Sequence, residues 1–137
     1  MAMDMLESIN VSAGGMFAQS ARMKAAAENI ANADSVQATN GQGAYRAKQV
    51  SFQSVLNRAT GMTEVKAKTS NDMATPMRTV YNPGSDMADA RGFVTMPNVD
   101  TTVESINMKE AQRSYDANLS AITSAKDMAS RTLDILR

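Results

Sequence analysis

The chain has 137 residues, no cysteine, histidine or tryptophan, and 14 basic residues balanced by 14 acidic ones. Those absences remove thiol and imidazole chemistry, nearly every transition-metal site and any disulfide, and the interspersed charge offers no stripe for a phosphate backbone or a membrane surface. With 4% aromatic residues and an apolar share leaning on alanine and 12 methionines, a lone monomer has a thin core, which points to stability gained by association.

The first ten residues carry Asp4 and Glu7, no basic stretch and no continuous apolar run. No cleaved secretory signal is expected there, and no stretch of the chain reaches the ~20 apolar residues of a membrane span. Asp4 and Glu7 read instead as a capping box that opens a long amphipathic helix, Asp4 to Asn32. Its seam runs Leu6, Ile9, Ala13, Met16, Ser20, Met23, Ala27 and Ile30 in steps of three and four, the spacing that keeps one stripe toward a partner helix. Gly14 and Gly15 interrupt it, each costing up to ~1 kcal/mol relative to alanine, and are expected to mark a fray or a kink.

The middle of the chain is punctuated by Asn40-Gly41, Asn57, Gly61, Asn82-Pro83-Gly84 and Arg91-Gly92, all turn signals. Thr63 to Thr69 alternates charged and uncharged residues as a half-buried strand does. Lys48 to Phe52, Met77 to Tyr81 and Phe93 to Met96 are further strand candidates, the last stopped by Pro97. A second long helix follows from Thr101 to Leu136, with Thr101 and Glu104 as its capping box. Its seam takes in Met108, Ala111, Tyr115, Asn118, Ile122, Ala125, Ala129, Thr132 and Leu136, widened by Leu119, Met128 and Leu133. The expected fold is therefore mainly α. Long terminal helices over 1–34 and 101–137 pack as a coiled-coil-like pair and bracket a small β-rich insert over 35–100.

Chemistry finds little purchase. No Gly-x-Ser-x-Gly elbow occurs, and the nearest approach to a Ser-x-x-Lys pair is Thr123 with Lys126, or Thr63 with Lys66. Asp86 and Asp89 near Asn82 are too few to hold a hard cation and read better as turn residues. The chain is thus read as no enzyme, with no catalytic residue, cofactor, metal, small-molecule substrate or nucleic-acid partner. Two helices in one hairpin each bury one stripe, so the wider apolar arc is left for other chains. Repeated contacts that do not close give a filament or tube.

Three stretches narrow the class. Glu28-Asn29-Ile30-Ala31-Asn32-Ala33-Asp34-Ser35, followed by Tyr45-Arg46-Ala47-Lys48, resembles the motif that flagellar axial proteins share at the end of their first helix. Tyr81-Asn82-Pro83-Gly84, Ala88-Asp89, Gly92-Phe93-Val94 and Met96-Pro97-Asn98-Val99-Asp100 resemble the signature of the proximal-rod members of that family. Arg113-Ser114-Tyr115-Asp116-Ala117-Asn118 is similar to their C-terminal helix. Leu56 to Pro76 matches nothing familiar, and Gln37 to Gly43 reads as a variable loop.

The resemblance implies a structural subunit of the flagellar basal-body rod, in its proximal part and spanning the periplasm. It also implies export through the flagellar type III apparatus without signal cleavage and no direct insertion into the membrane. Partners would be other copies of the chain and other rod subunits. Terminal helices would form the inner tube with the insert facing outward. A distal-rod or hook-type component is the alternative, though such proteins carry a larger insert; a soluble helical adaptor or chaperone is a rival of another class. Physically, Asn29 and Asn32 suit a helix end and tolerate left-handed backbone, and Pro83-Gly84 suits a type II turn in which Gly84 has positive φ.

Overall fold

The computed structural model describes residues 2–36, 43–58, 61 and 63–135, with side chains described for 7–134 of these. Helix α1 spans Ala2–Ala31 and helix α2 spans Thr101–Ile135, about 45 and 52 Å long at 1.5 Å per residue. Between them lie strands β1 (Lys48–Leu56), β2 (Thr63–Asn71), β3 (Arg78–Tyr81) and β4 (Phe93–Met96). β1 and β2 form one antiparallel hairpin, Lys48 opposite Asn71 and Leu56 opposite Thr63. β3 and β4 form another, Arg78 opposite Met96 and Tyr81 opposite Phe93. The protein is mainly helical with small antiparallel strands, as expected; the loop read over Gln37 to Gly43 falls almost wholly outside the described residues.

α1 packs against α2 and also against the β1–β2 hairpin. The glycine pair is the means. A Cβ on Gly14 would stand 3.7 Å from the backbone N and O of Val65 on β2, and one on Gly15 would stand 2.7 Å from Nδ2 of Asn118 on α2. Successive residues point about 100° apart around a helix, so one glycine faces each neighbour. The helix runs through both without a break, which corrects the expected fray: long-range packing offsets the local propensity cost.

Three local expectations also change. Asp4 lies inside α1 and does not cap it, since the helix already runs from Ala2. Asp100, one residue before the expected cap, closes the start of α2: its Oδ1 accepts from the amides of Thr102 (2.9 Å) and Val103 (3.2 Å). Gly84 has no positive φ; among the described residues that geometry belongs to Gly61 (φ 70°) and Gly92 (φ 79°). The Asn82 to Ser85 turn, closed by the Ser85 amide on the Asn82 carbonyl (3.2 Å), therefore lacks the feature that defines type II.

The buried apolar residues are Ala18, Ala25, Ala26, Ala33, Ala47, Val94, Val99, Ala111 and Ala125. Side chains this small bring backbones close but remove little apolar area from water, about 25 cal/mol per Å². Large apolar side chains stay outside instead, among them Phe17, Ile106, Leu119, Met128 and Leu133.

Candidate assembly surface

Asn29, Asn32 and Asn98 of the family motif converge where α1 ends and the insert begins and ends. Asn29 is fully buried. Its Nδ2 donates to the Lys48 carbonyl (2.9 Å), and its Oδ1 accepts from the Lys48 amide (2.7 Å) and the Tyr45 hydroxyl (2.9 Å). An asparagine amide matches the donor–acceptor pair of a backbone residue, so Asn29 acts on β1 as one more strand residue does. Asn98 repeats the device: Oδ1 accepts from the Ala47 amide (2.8 Å), and Nδ2 donates to the Thr75 carbonyl (3.3 Å). Asp72, also buried, donates its amide to the Ala47 carbonyl (2.7 Å). Asn32 ends the helix without left-handed backbone, its Nδ2 donating to the Glu28 carbonyl (2.8 Å).

Charge reinforces the junction. The Lys48 ammonium lies 2.6 Å from the Glu28 carboxylate. Its hydrogen bond holds the Glu28 carboxyl below the usual carboxylate range, and the carboxylate raises Lys48 in return. Hydrogen bonds from the Thr75 side chain and amide hold Asp72 low as well. Burial pushes the Tyr45 phenol up. Farther along, Arg22 ties α1 to α2 through Glu110 at 3.1 Å. Among the described residues no cluster of three or more acidic side chains could hold a metal ion. The Thr123 hydroxyl donates to the Leu119 carbonyl one turn back (3.0 Å), the local bond a helical threonine makes without catalytic purpose.

The β3–β4 hairpin carries the second group of motif residues. Tyr81 and Phe93 meet edge to face, ring centroids 5.3 Å apart at 66°, and both are exposed. Asp89 fixes the turn beneath them: Oδ1 accepts from the amides of Arg91 (2.8 Å) and Phe93 (2.9 Å). Pro83 and Gly92 close the space between, since a Cβ on Gly92 would reach 2.9 Å from Tyr81 Cε2 and 3.2 Å from Pro83 Cβ. Pro97 is fully buried just after β4. Gly84 is exposed, and Ser114 and Asn118 are half-buried on α2.

Of the seam residues, Met16, Tyr115 and Ile122 line one groove of about 290 Å³ with Ala13, Phe17 and Ser20. Ile9, Met23, Ile30 and Met108 are half-buried, while Leu119 and Leu133 are exposed. The Leu6 side chain and Leu136 lie outside the described residues. The most buried positions on α1 are Ala18, Ala25, Ala26 and Asn29, none of them in the seam read from large side chains. Around α2, Ala111, Asn118 and Ala125 lie on one stripe. At about 100° per residue, Ile106 and Met128 fall on one flank of it and Leu119 and Leu133 on the other. Phe17 on α1 is 78% exposed. The helix pair is thus bordered on both sides by large exposed apolar residues, the kind of patch that marks interaction sites in other proteins. Among the described residues no helix is long and apolar enough to cross a membrane.

The chain matches known families at both ends. Residues 9–38 match the family described as flagella basal body rod protein, and residues 90–135 match the C-terminal family of the flagellar basal body rod FlgEFG proteins. The flagellar basal-body rod protein FlgC of Salmonella typhimurium LT2 is 42% identical over 135 residues, covering 97% of this chain and 98% of that one. Its counterpart in Agrobacterium fabrum C58 is 41% identical over 136 residues, covering 98% of each. That of Buchnera aphidicola from Schizaphis graminum is 33% identical over 134 residues, covering 97% and 98%.

Proposed function

Because this chain belongs to the flagellar basal-body rod protein family and is a structural subunit of the rod, we propose that it assembles in the proximal part of the rod through its terminal helices. The observation that carries this is the pair of exposed apolar flanks on α2, Ile106 and Met128 on one side and Leu119 and Leu133 on the other. One hairpin of helices cannot cover both flanks, and neighbours placed on each side would. The helices then act as a coiled-coil-like pair over 1–34 and 101–137, with the insert over 35–100 turned outward. Neighbours are further copies and other rod subunits. Export runs through the flagellar type III apparatus without signal cleavage, and the rod spans the periplasm. The subunit works without catalysis, cofactor or metal.

Leu119→Asp is the discriminating variant, because its side chain is exposed in the subunit and a charge there is solvated until a neighbour buries it. The isolated protein should keep its helical content while rods fail to form and cells stop swimming. Normal rods carrying this variant would place the neighbour elsewhere. Ile122→Asp, in the groove with Met16 and Tyr115, should weaken both the subunit and its assembly.

A further inference from the structure

β1 has a free edge whose register is fixed by the polar junction. Both the amide and the carbonyl of Lys48 bond to Asn29, so they point away from β2. In an antiparallel ladder that direction alternates, so the amides and carbonyls of Val50, Phe52, Ser54 and Leu56 also point outward. Among the described residues none of these groups takes a backbone partner outside the β1–β2 ladder. α1 packs against the Lys48 end of β1, where Val50 lines a cavity with Ala25 and Ala26 of α1 and Val103 and Asn107 of α2, so the open stretch of the edge runs from Phe52 to Leu56. The far edge of β2 is different: there Gly14 of α1 comes against the backbone of Val65.

Soluble proteins guard such an edge with lysine, proline or a bulge. β1 has none of these from Gln49 to Leu56, and Phe52, Val55 and Leu56 are exposed on it. Its hairpin has only two strands, with α1 packed against them, so among the described residues no third strand covers the outer edge of β1. We propose that the β1 edge pairs antiparallel with β1 of a second copy, giving a four-stranded sheet in the order β2, β1, β1, β2 in unassembled protein.

Length and charge select that occupant among the strands of the chain. β2 carries Glu64, Lys66 and Lys68, β3 carries Arg78, and β4 is four residues long with Val94 buried. Only β1 offers seven uncharged residues, Val50 to Leu56. The register within the open stretch sets Phe52 opposite the second copy's Ser54. Gln53 then meets Gln53 on the two-fold axis. Beyond the overlap Leu56 would reach the second copy's Val50, where α1 lies against the strand, and the pairing ends there. A two-fold contact closes on itself, so it holds two free subunits and does not lengthen a rod. It is independent of the helix-borne assembly, whose test is Leu119→Asp.

Since the chain has no cysteine, a single introduced thiol reports the register. Gln53 faces its own copy at a non-hydrogen-bonded position, where Cα atoms are about 4.5 Å apart, within disulfide reach. Under mild oxidation of the full chain, Gln53→Cys should form the covalent dimer about tenfold or more faster than Met73→Cys, whose site is 73% exposed but off the edge. By sedimentation, Gln53→Lys should raise the dimer dissociation constant by about fivefold, the upper range for one like-charged pair, and a mixture with Gln53→Glu should restore it. Ser54→Pro, tolerated on a free edge, should leave the circular dichroism unchanged and abolish the dimer. Equal crosslinking at Gln53 and Met73, or dimers indifferent to the charge at Gln53, would overturn the pairing. So would oligomers that persist in a folded Ser54→Pro protein, since they would assign association to the helices.

Discussion

Asn29 is the residue whose loss should be felt most sharply in the isolated subunit. Asn29→Leu keeps the volume and removes three hydrogen bonds, stranding the Lys48 amide, the Lys48 carbonyl and the Tyr45 hydroxyl. A buried polar group left unpaired costs about 1–3 kcal/mol. Tyr45 is only half-buried and its hydroxyl can turn to water, so the two backbone groups set the loss at about 3 kcal/mol. Leucine recovers roughly 0.5 kcal/mol of helix propensity, leaving a net of about 2.5 kcal/mol. The midpoint of thermal unfolding should then fall by roughly 10 °C for a chain of this size. Amide exchange gives the local measurement: the Lys48 N–H, now held at 2.7 Å by Asn29, should exchange about a hundredfold faster. Asn32→Ala is the control, because its side chain bonds the Glu28 carbonyl within the same helix and its loss should cost about 1 kcal/mol or less. Unchanged protection at Lys48 in Asn29→Leu, with stability lowered by less than about 1 kcal/mol, would refute the role of Asn29 as a surrogate strand residue.

Other changes follow from the same geometry. Gly14→Ala adds a methyl in ordinary contact with Val65, whereas Gly15→Ala must displace the Asn118 amide; thermal melts should show the first stabilising by up to about 1 kcal/mol and the second gaining clearly less. Gly92→Ala should cost about 1–2 kcal/mol for its left-handed backbone alone and disturb the near-ultraviolet signal of Tyr81 and Phe93, while Gly84→Ala changes neither. The depressed carboxyls of Glu28 and Asp72 stabilise the fold above the ordinary carboxylate pKa of about 4, and that contribution is lost as pH falls through their lower folded values. Urea titrations should therefore weaken below about pH 4, and Lys48→Gln should flatten only the Glu28 share. The raised Lys48 contributes until pH climbs past its folded value, above about 10.4, so stability should hold level from pH 6 to 9.

Periodicity placed the helices and strands well because both are local signals. The ends of α1 and α2 fall within two residues of the heptad reading, and Phe93 to Met96 is strand β4 as read. Other features depend on residues far apart in the chain. Gly14 and Gly15 look like local defects until Val65 and Asn118 stand beside them. Asn29 looks like a helix-end residue until Lys48 folds back onto it. Large side chains advertised Met16, Met23 and Ile30, yet the closest packing on α1 uses Ala18, Ala25 and Ala26, whose hydropathy is too weak to mark a face. The Asp100 cap is itself legible, since aspartate before a helix is a strong signal, but the Thr101–Glu104 spacing offers a competing start one residue later.

The alanine core has a consequence for how this subunit can be dissected. Among the described residues seven of the nine buried apolar ones are already alanine, so truncation scanning passes silently over the most closely packed positions. Only enlargement interrogates them. Ala111 has 0% exposure, and Ala111→Val should meet the resistance of an overfilled interior, about 1–3 kcal/mol. Change at these sites is thus limited by how much bulk the interior can admit, whereas the exposed Phe17, Leu119 and Leu133 stand outside that constraint.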